Sequence, residues 1–323
     1  MRERTGSVWG GADDSGVDGQ VVQMTREWTL IGVPSSAGAH HAGQERAPAA
    51  LRKAGLPERL RRAGLSLDDA GDLPETPFSL DDTDPTRRNL AAVVRVAERV
   101  ADAVAEVAGS GRVPLVLGGD CTITLGAIAG YRRHAADIGL VYVDADADVN
   151  TPSTTGSGIF DSMGVAHMLG EGAPELAGLA GTVPLIDPRR LTLLGCDPRE
   201  VDPGPRQFLA TRGVSIQDSA DLIADPAGAA SRALSLIGDA SGPVLVHFDV
   251  DLVDSGDLPL GNFPHYGTGV LFDRAVECLH ALRKHPSFGG LVLTEVNPTH
   301  DADGRLVERY VAGIVAALTR SLD

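Results

Sequence analysis

A chain that reads L-V-Y-V-D-A-D-A-D-V-N over residues 140–150 has few ways to fold. Val141, Tyr142 and Val143 form an apolar, β-rich run of the kind buried on both faces of a parallel sheet. The run breaks at once into Asp144, Asp146 and Asp148. Three carboxylates in five residues repel one another and are costly to desolvate beside a core, so a hard divalent cation with oxygen ligands is the simplest counter-charge. A solvated acidic turn is the bland alternative. A second stretch, V-L-V-H-F-D-V-D-L-V-D over residues 244–254, has the same design and ends in Asp249 and Asp251. Ligands of open α/β sheets bind beyond the carboxyl ends of the strands. Two such ends side by side would pool five carboxylates around one or two metals.

Composition narrows the classes. With 323 residues and 43% hydrophobic content the chain can bury an ample core, as one large α/β domain or two small ones. A formal net charge of −16 disfavours nucleic acid and anionic membranes as partners and leaves small molecules. Cys121, Cys196 and Cys278 are scattered and form no C-x-x-C pair, which suggests a reducing, cytoplasmic setting without a disulfide framework. No apolar run reaches membrane-spanning length. Residues 1–25 are rich in Gly, Asp and Ser and read as a flexible tail, leaving 26–323 as a single domain.

Strand and helix alternate along the rest of the chain. Strands are expected over 28–33, 66–69 (an edge), 113–117, 141–143, 191–194, 214–216, 244–248 and 290–294. Helices are expected over 47–63, 88–108, from about Thr122, 207–212, 227–237, 272–283 and 305–322. The alternation indicates a mostly parallel sheet with helices on both faces. The glycine-rich loop after the first strand holds His40 and His41 and lacks G-x-G-x-x-G spacing, so it gives a dinucleotide little support; surface positions are the default for both histidines. The third strand enters G-G-D-C, placing Cys121 at another strand end near a helix N-terminus, either as a small buried hydrophobe or as a thiolate ligand. The loop after Asn150 carries Thr154, Thr155, Ser157 and Asp161, short polar side chains suited to a small polar substrate or simply ordinary loop composition.

Together these motifs resemble the arginase and agmatinase group of ureohydrolases, from about Leu30 to the C-terminus. G-G-D-C is similar to that family's G-G-D-H, D-A-D-A-D-V-N to D-A-H-x-D-x-N, D-V-D-L-V-D to D-x-D-x-x-D, and T-E-V-N-P to M-E-V-N-P. The early G-V-P-S-S-A-G-A-H-H-A-G resembles its N-terminal loop. The resemblance implies a three-layer α/β/α fold holding two divalent ions, Mn²⁺ by family, that lower the pKa of water aimed at a guanidinium carbon. Carried over by position, Asp144 and Asp249 bridge the ions, Cys121 and Asp148 complete one, and Asp146 and Asp251 the other. Glu295 holds the guanidinium. Asn150, Thr155 and Ser157 bind an α-carboxylate and Asp202 an α-amino group, which implies an arginine-like amino acid rather than agmatine. Trimers or hexamers are implied likewise.

Three departures stand out. Cys121 and Asp146 replace the family's metal-binding histidines, and Asp161 replaces its proton-shuttling histidine. Thiolate and carboxylate add up to two negative charges to the metal shell and lower its Lewis acidity. Manganese matches thiolate poorly, whereas Zn²⁺ or Fe²⁺ accepts sulfur and oxygen together. A carboxyl in its ordinary range holds a proton poorly at neutral pH, so His265 in N-F-P-H-Y-G-T-G is a candidate acid beside Asp161, with an exposed loop histidine as the alternative. The expected function is metal-dependent hydrolysis of a guanidino carbon–nitrogen bond. A non-hydrolytic relative that binds an amino acid or a partner protein is the rival.

Overall fold

The computed structural model describes residues 26–196, 203–238 and 242–320. Asp202 and the expected N-terminal tail, residues 1–25, lie outside the described residues. Eight strands run parallel in one sheet: β1 Trp28–Gly32, β2 Leu67–Asp72, β3 Val113–Leu117, β4 Gly139–Val143, β5 Leu191–Leu194, β6 Ser215–Gln217, β7 Val244–Asp249 and β8 Phe288–Thr294. Their order is β2-β1-β3-β8-β7-β4-β5-β6.

The inner strands are buried along their whole length because both faces are covered. Alternation decides which face each side chain serves. On β4, Val141 and Val143 join one core with the helices Pro226–Ile237, Phe272–Arg283 and Arg305–Thr319, while Leu140 and Tyr142 join the other with Leu90–Gly109 and Ile123–Arg132. The result is the three-layer α/β/α arrangement.

Topology places the site. The chain leaves β3 for β4 across two vacant positions and fills them only later with β7 and β8. Since every strand is parallel, the carboxyl ends of β3, β8, β7 and β4 stand in a row at one edge of the sheet, at the crevice where the strand order switches.

Two expectations are corrected. The helix expected over 47–63 is two helices, Ala47–Lys53 and Leu56–Arg62, because Gly55 takes a left-handed φ of 82° that terminates the first, and Pro57 starts the second. Thr122 holds the N-cap position of Ile123–Arg132 without capping it. Its hydroxyl instead donates to Asp120, and the Asp120 carboxylate takes the Thr122 N–H at 3.1 Å. The short helices Gly164–Met168, Pro174–Ala177 and Ser219–Ala224 were not anticipated.

Candidate metal centre

Each strand end delivers its residues by a local device. After β3, Gly118 and Gly119 let the chain turn where a Cβ would lie 2.4 Å from the Leu293 carbonyl oxygen or 2.3 Å from that of Ser35. Asp120 and Cys121 follow that turn. On β7 and β4 the first aspartate of each run folds back on its own loop: Asp249 Oδ1 accepts from the Asp251 N–H at 2.8 Å, and Asp144 Oδ1 from the Asp146 N–H at 2.7 Å. That leaves the other oxygen of each, Oδ2, facing its neighbours. Asp148 and Glu295 sit at left-handed φ values of 48° and 63°, a conformation that costs a non-glycine residue about 1–2 kcal/mol and concentrates at functional sites.

The centre of the row is Cys121, Asp144, His247 and Asp249, all buried, with one potential ligand atom from each within 4.8 Å of the others. The Cys121 thiol donates to Asp249 Oδ2 at 2.7 Å. His247, alongside Asp144 and Asp249, points Nε2 at their Oδ2 atoms at 3.5 and 3.7 Å and at Cys121 Sγ at 3.7 Å. Its Nδ1 is 2.8 Å from Thr124 Oγ1. Thr294 donates to Asp249 Oδ2 at 3.0 Å. Asp148 is not in this group; its Oδ2 accepts from the Tyr142 hydroxyl at 2.5 Å. A second group, Asp146, Asp251 and His265, lies nearer the solvent, with His265 Nε2 3.6 Å from Asp146 Oδ2. A third joins Cys121 to Asp161 and Glu295. There the Cys121 N–H is shared by Asp161 Oδ1 and Glu295 Oε1 at 3.1 Å each, and Gln44 donates to Glu295 Oε2.

So many carboxyls in so little water cannot all stay ionised. Burial pushes Asp144, Asp251, Asp161 and Glu295 well above the carboxylate range, and the charges of neighbouring acids push the same way: Asp249 on Asp144 and Asp251, Asp120 on Asp161, and Asp161 on Glu295. Burial also raises the Cys121 thiol, with Asp249 next in effect. Asp249 goes the other way: burial would raise it, but His247 and Cys121 at hand take it below its ordinary value. The expectation for Asp161 presumed a solvated carboxyl in its ordinary range, whereas this one is 6% exposed and burial raises it.

These residues fit a divalent cation. Asp251 Oδ1 is buried with no hydrogen-bond partner, a cost that an ion would remove. Oxygen, sulfur and nitrogen donors converge at the centre of the row, within 4.8 Å of one another.

A cavity of about 340 Å³ opens over these groups, lined among others by Cys121, Asp146, Asp251 and Glu295, a size suited to a small ligand. Asn150 and Asp161 line it too. Thr155 and Ser157 turn inward on their own loop, Thr155 Oγ1 accepting from the Ser157 and Gly158 N–H groups at 3.1 and 2.9 Å. His41 is exposed, but His40 lines the cavity, edge-on to Phe263 with ring centroids 4.8 Å apart. Burial lowers its pKa, with His41 adding to the effect. Sequence reading missed His40, Gln44 and His247 as site residues. A lone histidine inside an apolar strand reads as core, and only the pairing of β7 with β4 and its approach to Cys121 show otherwise.

Residues 26–320 match the Arginase family. The chain belongs to the arginase family. It is 34% identical over 294 residues to human Arginase-1, spanning 89% of this chain and 90% of that protein. It is 32% identical over 299 residues to the arginase of Bacillus caldovelox, spanning 91% and 97%. The solved structure of the Bacillus caldovelox arginase superposes with a TM-score of 0.83 at 31% identity, covering 92% of this chain and all of that one, 100%. The eight-stranded parallel sheet is thus an arginase-like fold, and this arginase-family chain carries Cys121 and Asp146 in its acidic strand ends.

Proposed function

We propose that this arginase-family protein hydrolyses a guanidino carbon–nitrogen bond of an arginine-like amino acid, using divalent metal held at the ends of β3, β4 and β7. The observation that carries the reading is the convergence of Cys121, Asp144, Asp251 and Glu295 on one cavity, with Asp249 buried beside Cys121 and Asp144. The matched relatives named arginase support the same reaction class.

By the resemblance, Cys121, Asp144, Asp148 and Asp249 would hold one ion, and Asp144, Asp146, Asp249 and Asp251 the other. When bound, the ions supply Lewis acidity and make water a nucleophile near neutral pH, and a shell with sulfur in it favours Zn²⁺ or Fe²⁺ over Mn²⁺. Glu295 accepts hydrogen bonds from the guanidinium, its carboxylate oriented by Gln44 and the Cys121 N–H. The leaving amine needs a proton. Asp161, buried and 3.1 Å from the same N–H, is the first candidate to give it. His265, beside Asp146 at the rim, is the second candidate acid. Asn150, Thr155 and Ser157 read the α-carboxylate and Asp202 the α-amino group.

The reading is tested by urea release from metal-loaded protein over arginine, hydroxyarginine, agmatine and guanidino acids without an amino group. The amino acids should turn over, agmatine should be poor, and Glu295→Gln should abolish turnover. Urea release unaffected by chelator or by Glu295→Gln would refute it.

A further inference from the structure

The four ligand atoms at the centre of the site have a spacing that the carboxylates alone do not explain. His247 is 0% exposed, yet the partners around its Nε2 stand off: Thr294 Oγ1 at 3.4 Å, Asp144 Oδ2 at 3.5 Å, and Asp249 Oδ2 and Cys121 Sγ at 3.7 Å. Good hydrogen bonds to nitrogen are about 2.7–3.2 Å long, so a buried imidazole nitrogen here has only long ones. The distances suit a different object. Ligands bonded at about 2.0–2.3 Å to one tetrahedral ion lie roughly 3.3–3.8 Å from each other. The Cys121–Asp249 edge, 2.7 Å, is shorter, and there a thiol proton draws the pair together.

We infer that His247 is a metal ligand of this chain, forming with Cys121, Asp144 and Asp249 a mixed sulfur, nitrogen and oxygen site that takes Zn²⁺ or Fe²⁺. The inference rests on the proposed metal centre and adds a ligand that the motif comparison did not supply. The imidazole comes from within β7, two residues before Asp249, and its lone pair reaches the position beside Cys121. Supporting contacts hold it as metal-bound histidines are held. Nδ1 meets Thr124 Oγ1 at 2.8 Å, which fixes the ring and, with the hydroxyl accepting, leaves Nε2 unprotonated for the ion. The ring also lies flat against Tyr142, centroids 3.8 Å apart and planes 2° from parallel. Both neighbours lock the imidazole in one rotamer.

The chemistry follows from the donor set. Thiolate plus imidazole moves the site's preference toward softer, tetrahedral ions and away from manganese. Binding releases the Cys121 proton, so affinity rises with pH.

The test uses the full-length protein stripped with chelator and loaded with one equivalent of Zn²⁺ or Co²⁺. X-ray absorption at the zinc edge should show one sulfur and at least one imidazole, and the cobalt form a thiolate-to-metal charge-transfer band of tetrahedral type. His247→Gln, which keeps a polar group toward Thr124, should lose the imidazole signature, shift the cobalt band and weaken affinity by more than about a hundredfold, beyond what loss of a supporting contact costs. His134→Ala, on an exposed turn, should retain all three. Metal bound through sulfur and oxygen alone, with His247→Gln unchanged in affinity and spectrum, would make His247 a packed core residue and leave the metal centre standing. Wild-type protein that takes up neither ion would overturn the inference and the metal centre together. The wild-type spectrum decides the ligand set even if the variant fails to fold.

Discussion

The ring of Tyr142 on β4 stacks on the ring of His247 on β7, 2° from parallel, at a register position where the two residues pair directly. The same tyrosine donates through its hydroxyl to Asp148 at 2.5 Å, so one side chain steadies residues from two strand ends. Tyr142→Phe keeps the stack and removes the hydrogen bond to the carboxyl. It should cost about 0.5–1.5 kcal/mol in urea unfolding, the value of a hydrogen bond to an uncharged group, since burial raises the Asp148 carboxyl well above its ordinary range. Metal stoichiometry should not change. A variant as stable as wild type would show that Asp148 gains nothing from the contact.

Chelator-stripped protein should lose stability as pH rises. Asp144, Asp161, Asp251 and Glu295 have folded pKa values raised by burial above those of the unfolded chain. Above the ordinary carboxylate range the native state therefore holds protons that the unfolded state has released. Their stabilisation is full below the unfolded values and is lost as pH climbs through the folded ones. The Tm of stripped protein should fall from pH 5 to pH 8, in steps of about 0.5 unit, and saturating Zn²⁺ should reverse the trend. A stripped protein whose Tm climbs steadily over that interval would contradict the protonation pattern.

Gly118 is a steric requirement of the site. A Cβ there would lie 2.4 Å from the Leu293 carbonyl oxygen, a backbone atom two residues before Glu295. Gly118→Ala should destabilise by about 1–3 kcal/mol and shift Glu295 away from the cavity. Chemical denaturation and KM for the guanidino substrate would both report it. An unchanged KM would mean that the shift is absorbed elsewhere.

The head-group reading is tested at Asp202. Asp202→Ala should weaken an arginine-like amino acid by roughly tenfold to 150-fold, the loss of one charge-assisted hydrogen bond. Calorimetric titration that finds equal affinities for wild type and variant would remove Asp202 from the substrate contacts.

The strands were legible because burial on both faces writes itself as continuous apolar runs. β3 and β5 have the bounds expected from sequence, and β7 and β8 differ by one or two residues. The acidic ends were legible for the converse reason, since carboxylates after a buried strand are costly without a partner. Three things were not. His247 looks like core because its strand is core, and its role depends on strand order and on Thr124 from another element. The raised pKa of Asp161 depends on burial and on the charge of Asp120, a residue distant in sequence. The break at Gly55 depends on a backbone angle that glycine permits without dictating.

The central claim is that the ends of β3, β4 and β7 form a divalent-metal centre, and elemental analysis of protein purified without chelator tests it most directly. The account predicts about two equivalents of divalent metal per chain, zinc or iron prominent among them, and loss of both in Asp249→Ala, since that carboxylate would serve both ions. Metal-free wild-type protein that also fails to bind added Zn²⁺, Fe²⁺ or Mn²⁺ would contradict it.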